Sequence, residues 1–187
     1  MPPEQRRAVL VQATLPLLLE HGTSITTRQI AEAAGIAEGT IFRVFPDKES
    51  VVAAVVEAAF DPGPFETELA SIPATLPLPA RMERAVDLLQ RRMAALGQLM
   101  TAAGLTRPPG TAASAVHRRP PTSVEALARL FEPDADLLRR SPLEAAQLLR
   151  AMTFAGTHPM MVEVPTPPAE IVDLVLHGIA ASETPSC

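Results

Sequence analysis

TTRQIAEAAGIAEGTIFRVFPDK, residues 26–48, carries the organising signal of this chain. Thr26-x-x-Gln29 has the form of a capping box, in which a hydroxyl and an amide three residues apart satisfy two backbone donors at a helix start. It predicts a short helix over 27–34 with Ile30, Ala31 and Ala34 turned inward. Gly35 breaks that helix, because glycine enters the left-handed region without a steric cost. A second short helix is predicted at 37–44, and Pro46-Asp47-Lys48-Glu49 opens another at 47–60. Apolar side chains at 30, 31, 34, 36, 41 and 45 form a wedge that holds two helices at a steep angle, with Ala31 small enough for close approach. This is helix-turn-helix grammar. Its physics is a compact support that projects the second helix into the ~12 Å major groove of DNA.

Working outward, proline sets the boundaries. The chain has 20 of them, and twelve cluster at 62 and 64, 73, 77 and 79, 108 and 109, 120 and 121, and 165, 167 and 168. A helix interior tolerates Pro poorly, because the ring removes a hydrogen bond and clashes with the previous turn. The stretches between clusters are therefore the predicted helices. Residues 4–21 form the first, ended by Gly22, with Pro16 inside it and a kink expected there. A short helix is expected near 65–71. A long one spans 80–103, with Met82, Val86, Leu89, Met93, Leu96 and Met100 along one face. Residues 104–122 lack periodicity and are expected to be a mobile loop. Helices at about 123–131 and 134–140 follow. Ser141-Pro142 starts one that reaches about 156, and Pro167-Pro168 starts the last, to about 181. No alternating strand pattern and no internal repeat is evident.

Composition narrows the function classes. Of 187 residues 47% are apolar and 20% charged, enough hydrophobe for a core in one or two small domains. Six Phe with no Trp or Tyr argue against an all-β sandwich and against a stacking platform for single-stranded nucleic acid. The one cysteine, Cys187, allows neither an internal disulfide nor a cysteine metal site. His21, His117, His158 and His177 stand at no metal-ligand spacing, so no cofactor and no metal is expected. No apolar run approaches the ~20 residues of a bilayer span, and the N-terminus is interrupted by Glu4, Gln12, Pro16 and Glu20, so neither a membrane segment nor a leader is expected. No nucleophile–base–acid arrangement stands out and no glycine-rich phosphate loop exists, so an enzyme is not expected. Arg81, Arg84, Arg91 and Arg92 read as a solvated helix face with Glu83 and Asp87 interleaved, Asp87 and Arg91 forming an i,i+4 pair.

The runs IAEAAGI (30–36) and GTIFRVF (39–45), then Lys48 and an apolar helix, together with a long first helix ending in Glu20-His21-Gly22, closely resemble the TetR family of bacterial transcriptional regulators. About 55 N-terminal residues carry the resemblance, and the remainder matches in architecture only. The fold it implies is all-α: an N-terminal three-helix helix-turn-helix DNA-binding domain, residues 1–48, and a C-terminal helical ligand-binding and dimerisation domain, residues 49–187. By position, Thr27, Thr40 and Lys48 match phosphate contacts. Phe42 matches a position usually held by Tyr, keeping the packing and losing a hydroxyl, and Val44 stands where a polar group is common. Arg28 and Arg43 are the long donors best placed for guanine edges. Ala37, Glu38 and Gly39 lie at the start of the recognition helix, where base contact is closest. Glu38 either accepts from cytosine N4 or is simply a favourable acid at a helix N-terminus.

The expected partners are a double-stranded DNA operator, a second copy of the chain and a small, largely apolar effector, in the cytoplasm. Candidate effector contacts are Phe60, Phe65, Met82, Leu89, Met93 and Phe154. The last two helices are apolar on more than one stripe, which calls for two burial partners. Leu148, Leu149, Met152, Ile171, Leu174, Val175 and Ile179 are the expected dimer contacts. Charge qualifies this reading. Arg6, Arg7, Arg28, Arg43 and Lys48 are balanced by Glu4, Glu20, Glu32, Glu38 and Asp47, so the head is neutral within a chain of net charge −5. A shallow salt slope is expected. The neutral head, Phe42 and Val44 also suit an alternative: a helical protein-interaction module with a vestigial helix-turn-helix head.

Overall fold

The computed structural model describes residues 2–107 and 123–178. Among these residues all regular structure is helical: α1 (Pro3–His21), α2 (Thr27–Ala33), α3 (Glu38–Ile41), α4 (Lys48–Phe60), α5 (Gly63–Ala70), α6 (Leu78–Ala102), α7 (Ser123–Ala128), α8 (Pro142–Ala155) and α9 (Pro168–His177), with 3-10 turns at Gly22–Ser24 and Glu132–Leu137. Two compact units result. One takes in Met1–Asp61 and Ala94–Arg118, the other Pro62–Met93 and Arg119–Cys187, each as far as the described residues extend, so α6 contributes to both. No helix among the described residues is long and apolar enough to cross a membrane.

The first unit is built on α1, which packs against α2 and α4. Its core joins Leu10 and Leu18 of α1 to Ile25, Ile30, Ala31, Ile41 and Phe45, to Val51, Ala54, Val55 and Val56 of α4, and to Leu99 of α6. Helix α1 continues through Pro16 as one element. Buried Thr14 donates its hydroxyl to the carbonyl of Leu10 at 2.7 Å, which is how a polar side chain is accommodated in this core. The first helix ends where expected: Gly22 takes φ +60° and its N–H returns to Leu18 O.

The second unit has a separate core, with Phe65 and Leu69 of α5, Met82, Ala85, Val86 and Leu89 of α6, Leu127 of α7, Ala146 and Leu149 of α8, and Ile171 and Val172 of α9. Ser141 and Glu144 form a reciprocal capping box at the start of α8, with Pro142 at its first position. The helices expected at 123–131 and 134–140 are shorter. The first ends at Ala128, and the second is a 3-10 turn whose Asp134 departs from helical dihedrals.

Arg81 corrects the solvated-face expectation for α6. It is 2% exposed. Its Nε donates to Leu130 O at 3.0 Å, its Nη1 to Ala74 O at 3.0 Å and Leu76 O at 2.6 Å, and its Nη2 pairs with the Asp134 carboxylate. A buried guanidinium survives because its rigid fork meets several acceptors at once. Arg91 keeps its exposed ion pair with Asp87 at 3.0 Å, and Arg92 lies over the Phe65 ring, 5.1 Å from its centroid.

Candidate nucleic-acid interface

The capping box at Thr26 forms as the sequence requires. The Gln29 N–H donates to Thr26 Oγ1 at 3.2 Å, and the Thr26 N–H donates to Gln29 Oε1 at 2.9 Å. Helix α2 then runs to Ala33, and Gly35 follows at φ +65°. The N–H of Ile36 reaches back to Ala31 O at 3.0 Å and closes the turn. Ile30 and Ile41 are fully buried and Phe45 is 2% exposed, so the wedge is anchored from both helices and from the turn after them.

The helix expected at 37–44 is shorter. Regular α structure covers Glu38–Ile41 only, with Ala37 as its N-cap. Beyond it the chain tightens: Arg43 N–H bonds to Thr40 O at 3.2 Å and Val44 N–H to Ile41 O at 2.9 Å, three residues back rather than four. Two features of the sequence account for this. Thr40, Ile41 and Val44 are β-branched, and Pro46 biases Phe45 away from helical dihedrals.

Most of the residues singled out for DNA are exposed. Arg28, Ala37, Glu38, Gly39, Phe42 and Arg43 are exposed, while Thr27, Thr40 and Lys48 are half-buried. Phe42 leaves 53% of its surface open although it is aromatic. Arg28 and Arg43 make no ion pair among the described residues, so both guanidinium groups keep their donors for an external acceptor.

Three contacts escaped the sequence. Thr27 Oγ1 donates to Glu38 Oε1, which links the starts of α2 and α3. Lys48 Nζ donates to Thr23 O at 2.8 Å, setting the ammonium against the 3-10 turn after α1. The Arg7 guanidinium lies 4.5 Å from the centroid of the Phe45 ring, a cation–π contact between α1 and the end of the recognition segment. These partners are 11, 25 and 38 positions apart, and no local pattern announces such pairs. Asp47 caps α4 by accepting from Ser50 N–H at 2.7 Å, and hydrogen bonding from Ser50 holds its carboxyl below the usual range.

The residues named for an effector do not surround one cavity. Phe65, Met82 and Leu89 are buried in the core of the second unit, and Met93 of α6 is half-buried outside that core. Phe154 is 51% exposed and its ring tilts over His158 at 4.8 Å between centroids. Phe60 belongs to the first unit, where it borders a trough of about 1090 Å³ between α1 and α4. The dimer residues also divide. Leu149 and Ile171, at 0% and 1% exposure, find their burial within the protomer and have no surface left for a partner. Leu148 and Met152 are exposed, Leu174 and Val175 are half-buried, and Ile179 lies outside the described residues. The loop expected at 104–122 likewise lies outside them from residue 108 onward.

Comparison with known proteins follows this geometry. Residues 10–55 match the family described as bacterial regulatory proteins, tetR family. No curated protein sequence matches. Among solved structures, the chain is similar to Thermus thermophilus FadR, a TetR-family transcriptional repressor solved in complex with lauroyl-CoA. The two share 21% identity over 97% of this chain and 98% of that one, with a TM-score of 0.55. A tetR-family transcriptional regulator of Streptomyces coelicolor shares 20% identity over 94% of this chain and 79% of its own, with a TM-score of 0.53. The fatty acid degradation regulator FadR of Bacillus halodurans shares 18% over 93% and 96%, with a TM-score of 0.51. The resemblance to the TetR family is thus specific over the N-terminal segment and one of fold over the remainder.

Proposed function

We propose that this chain, its tetR-family head at residues 10–55 taken as the premise, is a ligand-responsive, DNA-binding regulator of transcription that acts as a repressor in the cytoplasm. Residues 1–48 read the operator, and residues 49–187 carry an effector site and the contact between two copies. The pair of heads enters successive major grooves of a pseudo-palindromic site. An effector that binds better to the form with wrongly spaced heads weakens DNA binding by its differential free energy.

The observation that carries this reading is the head itself. A closed wedge of Ile30, Ile41 and Phe45 supports an outward face bearing Arg28 and Arg43, neither of them in an ion pair among the described residues. Pairing of two copies is supported by Leu148 and Met152, four residues apart on α8 and 52% and 38% exposed. A side-by-side apolar pair of that kind is covered when a second copy packs on it.

The test is an electrophoretic shift with the DNA upstream of the chain's own gene, at low and at moderate salt. A retarded complex that weakens as salt rises is expected. Failure to shift any fragment at low salt sinks this reading and favours a protein-interaction module, for which the neutral charge of residues 1–48 and the open Phe42 ring speak.

A further inference from the structure

A cavity with the chemistry of a ligand site lies in the first unit, between α4 and the segment that leaves α6. We propose that it binds a small amphipathic monoanion, a carboxylate on a compact apolar body. Its volume is about 370 Å³, within the roughly 300–1,000 Å³ of small-molecule sites. The apolar wall comes from Val52 and Val56 of α4 and from Ala103 and Leu105. Leu105 reaches the wall because Gly104, at φ +66°, turns the chain back so that the Leu105 N–H bonds to Met100 O at 2.8 Å. This is a glycine-dependent helix ending, and it fixes a leucine that stays 39% exposed.

The rim sets the sign of the ligand. Lys48 and Arg107 stand there against Glu49, an excess of one positive charge. Arg107 makes no ion pair among the described residues. Lys48 spends one ammonium donor on Thr23 O and has three, so two remain for a carboxylate. A cation would meet two like charges against the single carboxylate of Glu49, and a neutral apolar body would leave those donors to water. A consequence for DNA rests on the function proposed above: a carboxylate that draws on Lys48 takes a donor from the operator phosphate. The existence of the site does not rest on it.

The test uses the intact chain without DNA and three probes on one body: 2-naphthoate, 2-naphthylmethanol and 2-naphthylmethylammonium, titrated by calorimetry. Saturable binding of one 2-naphthoate per chain is expected, with the ammonium probe weaker by roughly fivefold or more. Arg107→Glu should weaken 2-naphthoate by about fivefold and narrow the gap between the probes. Leu105→Asp should abolish binding of 2-naphthoate. Both side chains are exposed, and an unchanged melting temperature shows that the variants fold. No saturable binding, equal binding of anion and cation, or affinities that neither substitution alters would overturn the site. Adding 2-naphthoate to the electrophoretic shift should weaken the wild-type complex and leave Arg107→Glu less affected. A complex indifferent to bound 2-naphthoate overturns the link to DNA. Absence of any complex counts against the proposed function and leaves the probe titrations intact.

Discussion

Thr27 donates its hydroxyl hydrogen to the Glu38 carboxylate and so joins the first residue of α2 to the first residue of α3. Thr27 matches a phosphate contact by resemblance and Glu38 stands at the start of the next helix, and here each occupies the other. Glu38→Ala frees the Thr27 hydroxyl and removes a negative charge from a neutral head. Because the bond is exposed, stability should fall by no more than about 1 kcal/mol. Affinity should rise for all DNA sequences alike at low salt, as a change in phosphate attraction does. A loss confined to one base position in a binding-site selection would show instead that Glu38 reads a base.

Arg43 projects from the tight turn after α3 with its guanidinium unpaired among the described residues. Arg43→Ala should cost roughly 1–3 kcal/mol of operator binding and relax preference at one base pair. Equal weakening on every sequence would assign Arg43 to the backbone.

Gly35 holds φ +65°, and a Cβ added there would meet nothing within 4 Å. The cost of Gly35→Ala is therefore one of backbone conformation alone, about 1–2 kcal/mol. Gly35→Asn should cost less, because Asn tolerates the left-handed region. Urea unfolding of the two variants checks the order, and equal losses would show that the turn moves rather than strains.

Asp47 titrates below the ordinary carboxylate range because it accepts from Ser50. A carboxyl held low in the folded state stabilises the fold above its unfolded-state pKa, and that stability drains away as pH falls through the lowered folded value. The melting temperature of wild type should exceed that of Asp47→Asn at neutral pH. The two should converge in acid below the usual aspartate range. A difference that persists there would trace the effect to packing rather than charge.

Arg81 ties α6 to the chain around Leu130 and Asp134 from a buried position. Arg81→Met would strand three carbonyls and the Asp134 carboxylate in or near the core, and should cost about 3–5 kcal/mol. Urea denaturation measures it. A loss under 1 kcal/mol would mean that water replaces the guanidinium without difficulty.

Local signals were enough for the caps and the turn of the head, though not for the length of α3. Thr26 and Gln29, Gly35 and the Asp47 cap act within four residues of themselves, so the backbone they specify can be read directly from the chain. The same holds for Ser141 and Glu144. The division of α6 was not legible in this way. Arg81 and Arg84 look alike in sequence, yet one is buried and the other exposed, because the acceptors that hold Arg81 include Leu130 O and Asp134, 49 and 53 residues away. The apolar stripe on α8 poses the same problem. Leu148 and Leu149 are adjacent and equally apolar, and only the position of the second unit's core decides which is covered.

The sequence by itself determined the all-helical class, the capping boxes at Thr26 and Ser141 and the turn at Gly35, since each follows from dihedral preferences and hydrogen bonds between near neighbours. It did not determine the extents of the helices expected at 37–44, 123–131 and 134–140. The tertiary structure alone decided which cations are free, which apolar side chains remain open and where a ligand-sized cavity lies. Those properties depend on burial and on partners brought together from distant parts of the chain, and no local pattern encodes them.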